Sequence, residues 1–93
     1  MKYRKKPVVI EAIQWIGSNG KECIEFLGMS FAGFVDKFPD DADIIVRTLE
    51  GRHIASCYDY LIRGVKGEHY PCKPDIFSMT YEPVEAGKGG GHD

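Results

Sequence analysis

Four side chains in the second half of the chain could in principle ligate a metal: His53, Cys57, His69 and Cys72. Zinc requires all its ligands about 2.0–2.3 Å from one ion. In an extended strand, at roughly 3.3 Å per residue, His53 and Cys57 stand about 13 Å apart. His69 and Cys72 are three residues apart, which in a strand points them to opposite faces. The close cysteine pairs of structural zinc sites are missing, so the four read as ordinary sheet residues, with no metal and no cofactor. Nucleophilic chemistry is no better served. Cys57 or Cys72 could pair with a histidine, yet neither follows a nucleophile-elbow sequence or sits at a cationic helix terminus. Both are expected to be buried structural thiols. Glu11, between Ile10 and Ala12, is a carboxylate within an apolar strand and hence an acid–base candidate. Its plainer reading is an edge position or a cation partner. The glycine-rich end lacks GxxxxGK[ST] spacing and any following helix, so it is not a phosphate loop. These residues predict a protein that is not an enzyme.

Binding chemistry has more to work with. Lys2, Arg4, Lys5 and Lys6 open the chain with no acid among them. Arg47, Arg52, Arg63, Lys66 and Lys73 follow, interleaved with Tyr58, Tyr60 and Tyr70. Guanidinium forks bind phosphate oxygens in pairs, and tyrosine rings offer stacking faces for bases. The eight residues from Arg47 to Lys73 are therefore the expected ligand-binding set, for an anionic nucleotide. The plainer alternative is that they are solvated faces and hairpin ends.

The elements that must position these residues fit one small domain. The chain has 93 residues, 43% of them apolar and 28% charged, room for one core and not two. Its 12 basic and 14 acidic residues give a net charge of −2, against the basic excess of a dedicated duplex-DNA binder. The opening cations are not followed by a signal-peptide core or cleavage site, and the longest apolar run is far short of a membrane span. Three cysteines do not make a disulfide framework. A cytoplasmic protein with reduced thiols and no membrane association is expected.

Val8 to Trp15 is apolar on both faces and predicts an interior strand. Asn19 with Glu22 marks a helix start, and Gly28 its left-handed end, which predicts a helix over 20–27. Its apolar stripe is Cys23, Ile24, Phe26 and Leu27. Residues 29–38 read as either helix or loop: Phe31, Phe34, Val35 and Phe38 recur at roughly helical spacing, but Gly33 interrupts. Next come two hairpins, Ile44–Leu49 with Arg52–Cys57, and Tyr60–Val65 with Glu68–Cys72. Pro74 suits a first helical position and predicts one turn over 74–80, before a last strand over 81–84. The expected architecture is α+β: a bent, mainly antiparallel sheet, barrel-like in its curvature, with one short helix packed on it. Residues 1–85 form the domain, and 86–93, without an apolar anchor, a disordered glycine-rich tail.

The stretch from Lys2 to Trp15 (KYRKKPVVIEAIQW) resembles the opening of small proteins encoded by bacteriophages and prophages. Gly64 to Phe77 (GVKGEHYPCKPDIF), closing on Thr80 to Val84 (TYEPV), resembles their shared ending. The chain also resembles the PGDYG family of phage proteins, whose name motif falls near Ser56-Cys57-Tyr58-Asp59-Tyr60, where Asp-Tyr is kept. The wider group brings no settled activity, so no catalytic residue carries over. The resemblance implies the cytoplasm of an infected or lysogenic bacterium and action by binding. Such proteins block host proteins or sequester nucleotide second messengers of antiviral defence, commonly as homo-oligomers. Two expectations follow. One is a nucleotide-sequestering accessory protein using the eight residues named above. The other is a protein-interaction module that inhibits a host factor or serves phage assembly, through an exposed Phe31, Phe34 and Phe38 surface.

Overall fold

In the computed structural model the described residues are 1–3, 8–35 and 42–84. The chain runs β1 (Glu11–Gln14), α1 (Gly20–Leu27), a 3-10 turn (Gly28–Ser30), β2 (Phe31–Val35), β3 (Asp43–Thr48), β4 (Gly51–Ala55), β5 (Tyr60–Arg63), β6 (His69–Cys72) and α2 (Pro74–Thr80). The fold is α+β and its strands pair antiparallel, as expected. Instead of one sheet there are two, of three strands each, ordered β1-β5-β6 and β2-β3-β4, and they do not close into a barrel. β6 packs against β3 and β4, which joins the two layers.

Two further expectations are corrected. β1 is an edge strand rather than an interior one, and Val8 and Val9 just before it are exposed. Its apolar content fits cover on both faces, but only Ile13 and Trp15 reach the core. Residues 81–84 form no strand; Pro83 has no N–H for a ladder, and the Tyr81 N–H instead closes α2 on the Phe77 carbonyl. The expected glycine-rich tail, 86–93, lies outside the described residues.

Helix α1 buries Cys23 and Leu27 completely, whereas Ile24 on the same predicted stripe is exposed. Gly28 takes a positive φ of 55° as expected, with its N–H on the Ile24 carbonyl. Asn19 stands at the N-cap, but its side chain serves the strand behind it. Its Oδ1 accepts the Ile16 N–H at 3.0 Å and its Nδ2 donates to the Gln14 carbonyl at 2.8 Å.

Segment 29–38 resolves into turn and strand up to Val35. Phe31 pairs with Val46 and Gly33 with Ile45, so Ala32 is an extra residue, a β-bulge. Gly33 adopts φ 127° there, open to glycine and strained for other residues. The bulge keeps Phe31 and Phe34, three apart, on one face, where their rings meet edge to face at 5.2 Å. Phe34 also lies 5.9 Å from Trp15. The core is Trp15, Cys23, Leu27, Ile44, Val46, Ala55 and Leu61, with Ile13, Phe26, Phe31 and Cys57 packed on it. No helix among the described residues is long and apolar enough to cross a membrane.

Candidate functional site

Strand alternation decides which of the expected binding residues can meet. In the β1-β5-β6 sheet, Glu11, Ile13, Leu61, Arg63, His69 and Pro71 share one face; Ala12, Gln14, Tyr60, Ile62, Tyr70 and Cys72 share the other. Arg63 is thus separated from Tyr60 and Tyr70 by the thickness of a sheet. In the β2-β3-β4 sheet, Arg47 and Arg52 are directly opposed across β3 and β4, on the face away from Ile44, Val46 and Ala55. Tyr58, Lys66 and Lys73 sit in connections between elements. Only the Arg47–Arg52 and Tyr60–Tyr70 pairs are brought onto a common face.

Most of these side chains already have partners inside the fold. Arg63 is the most engaged. Its Nη1 pairs with Glu11 Oε1 at 2.7 Å and its Nη2 donates to the Phe26 carbonyl at 3.1 Å. Its Nε reaches His69 Nε2 at 3.4 Å, and the guanidinium lies 5.0 Å from the Phe26 ring centre. Glu11 therefore follows its plainer reading, an edge carboxylate paired with a cation. Lys73 donates to Asp59 Oδ2 at 3.0 Å. Asp59 is buried and accepts the Ser56 N–H on the same oxygen, so its side chain closes the β4–β5 turn. Tyr58 holds φ 76° in that turn, with its carbonyl accepting from Gln14 Nε2. Lys66 contributes its backbone N–H to Glu68.

The tyrosines of β5 and β6 meet the C-terminal segment, Tyr60 at Phe77 of α2 and Tyr70 at Tyr81 just after it. Tyr60 stacks on Phe77 with 3.8 Å between ring centres and 6° between planes, the position a base would need. Burial, and a hydrogen bond with Tyr81, push the Tyr70 hydroxyl up to about 12. Ile62, on the same face, is fully buried. This second layer, built by Pro74–Thr80, is what residue types alone did not reveal. Its signal was Phe77 and Tyr81, one helical turn apart and tilted together at 5.1 Å.

Arg47 and Arg52 differ from the rest. Arg47 Nη1 donates to the Met29 and Phe31 carbonyls at 2.9 and 3.0 Å, which anchors the guanidinium beside the start of β2. Among the described residues, Arg52 has no hydrogen-bond or ion-pair partner.

The chemistry-bearing residues are dispersed too. His53 is exposed on β4 and His69 buried on β6. Among the described residues, no three His, Cys, Asp or Glu side chains gather around a metal position. Cys57 and Cys72 are half-buried rather than buried; the fully buried thiol is Cys23, and burial pushes it up to about 11. A contact missed from sequence is Ser30 Oγ to His69 Nδ1, 2.8 Å. It looks like a nucleophile–base pair. Arg63 Nε approaches the other ring nitrogen, Nε2, at 3.4 Å, and the imidazole tautomer decides which member of the Ser30–His69 pair donates. Burial, followed by the Arg63 charge, lowers the His69 pKa and favours the neutral imidazole.

Two concavities are formed by described residues. One, of about 310 Å³, lies between the β3–β4 turn and β6 and is bordered by Leu49, Glu50, His53, Glu68 and Tyr70. Two carboxylates make it a poor seat for phosphate. The other, of about 410 Å³, is an apolar groove lined by Val8, Val9, Ala12, Tyr60, Phe77 and Val84. Here residues near the fold's two ends, 8–12 and 77–84, meet. Of the expected phenylalanine surface only part is presented: Phe34 is 40% exposed although one side of its ring lies against Trp15, Phe31 is half-buried on the core, and Phe38 is outside the described residues. Scans against family models, curated proteins and solved structures return no match to this chain.

Proposed function

We propose that this chain is a binding module without covalent chemistry, and that what it binds is a protein rather than a nucleotide. The observation that carries this reading is the engagement of its cations and rings. Arg63 and Lys73 are paired with Glu11 and Asp59, Tyr60 is stacked on Phe77, and the sheet divides Arg63 from the tyrosines. A nucleotide site would need these groups both free and convergent. In the setting that the resemblance implies, an infected or lysogenic bacterium, the partner is a host or virion protein.

The nucleotide-sequestering reading keeps one observation in its favour, the opposed Arg47 and Arg52. A thermal-shift panel of linear and cyclic nucleotides and ADP-ribose derivatives separates the two. At about 100 times its Kd, a ligand adds roughly 2.7 kcal/mol, which in a domain this small is on the order of 10–20 °C. The protein reading expects no such shift. A large shift with intact ligand recovered afterwards would establish nucleotide sequestration instead, and recovered product would establish catalysis.

A further inference from the structure

The outer face of the β3–β4 hairpin combines charge and apolar surface in a way that folding does not account for. Arg47 and Arg52 are register partners, so their Cβ atoms are about 4.5–5.5 Å apart, and like charges so placed destabilise a sheet. Among the described residues no carboxylate pairs with either. The next register pair on the same face is Ile45 with Ile54, and Ile54 is 47% exposed. Val35 of β2, 38% exposed, extends the strip. Arg47 is held in place by the Met29 and Phe31 carbonyls, so half of the cationic pair is already ordered before anything binds.

We propose that this face is the partner-binding surface, and that it takes an acidic segment of a protein with apolar side chains beside its carboxylates. The inference rests on the protein-binding reading above and adds the face and the partner's chemistry. Carboxylates satisfy the free edges of both guanidiniums in the paired geometry that arginine favours. The partner's apolar side chains cover Ile45, Ile54 and Val35. Binding thus removes the repulsion that the unbound hairpin carries.

The test uses the full chain and two fluorescein-labelled peptides, one alternating glutamate and leucine and the other alternating lysine and leucine, read by anisotropy. Arg52→Glu is the main variant, because among the described residues Arg52 makes no hydrogen bond or ion pair; Val9→Glu, in the apolar groove, is the comparison. The acidic peptide binds the wild type and Val9→Glu alike, weakens as salt rises, and loses about tenfold or more on Arg52→Glu, in line with charge-assisted hydrogen bonds. Binding lost on Val9→Glu and kept on Arg52→Glu would overturn this face and leave the protein reading standing. Equal binding of the lysine peptide would overturn the acidic chemistry. A cyclic dinucleotide that binds and displaces the acidic peptide would overturn the protein reading as well. No binding of either peptide would overturn the proposal.

Discussion

Arg63 illustrates how a residue that could grip a phosphate instead braces the fold, and its removal has a magnitude that can be worked out. Arg63→Ala deletes the ion pair with Glu11, the hydrogen bonds to the Phe26 carbonyl and to His69, and the contact with the Phe26 ring. The ion pair is largely exposed, with side-chain exposures of 40% and 66%, so it belongs at the low end, about 0.2–0.5 kcal/mol. A charged donor on a carbonyl contributes about 1.5 kcal/mol, and the cation on the ring about 0.5–1. The expected loss is about 2–3 kcal/mol, which lowers the midpoint of thermal unfolding by on the order of 10–20 °C. Arg63→Lys keeps a charge for Glu11 but lacks the fork that reaches Phe26 and His69 together, so it recovers less than half. Urea unfolding followed by fluorescence reads the effect directly, since Trp15 is the single tryptophan and is buried. An Arg63→Ala variant within about 0.5 kcal/mol of wild type would refute the assignment of Arg63 as a brace.

His69 makes stability sensitive to acid. Its pKa is lowered in the folded state by burial and by Arg63, so the unfolded chain takes up the proton first. Stability is complete above the unfolded value of about 6.5 and falls as pH drops through the lower folded value; urea midpoints at pH 7.5, 6 and 5 check the sign, and His69→Gln flattens the trend. Asp59→Ala strands the Ser56 N–H and unpairs Lys73, costing about 2–4 kcal/mol, whereas Lys73→Met leaves the buried Asp59 carboxylate without its cation but still on the Ser56 N–H, costing about 1–3 kcal/mol; chemical denaturation of the two variants compares them. Gly33→Val forces a side chain into φ 127° and destabilises by roughly 1–3 kcal/mol, measured the same way; a neutral result would mean that the bulge relaxes.

The hairpins, the helix over 20–27 and the positive-φ glycine that ends it were legible because their signals are local: turn glycines, alternation, and an apolar residue every three or four positions. The signals that misled were tertiary ones. Phe31 and Phe34, three apart, suggest a helical period, and the bulge at Ala32 gives a strand the same spacing on one face. Val8 and Val9 read as buried from their type, yet they precede a sheet edge and stay exposed. The candidate site suffered from the same blindness to faces. Arg63 and Tyr60 are close in sequence and belong to one strand, but an odd separation puts them on opposite sides of it. Nor can residue type say that Tyr60 is covered by Phe77 or that Arg63 is occupied by Glu11. Arg52 escapes this because its freedom comes from exposure on an outer face, with no partner among the described residues.

The contrast between bracing and free cations is tested most directly by one comparison: affinity for the glutamate–leucine peptide, measured side by side for wild type, Arg52→Glu and Lys73→Met. Lys73 is engaged by Asp59, so Lys73→Met should bind as the wild type does, while Arg52→Glu loses about tenfold or more. Equal loss on both variants, or loss on Lys73→Met alone, would contradict the account.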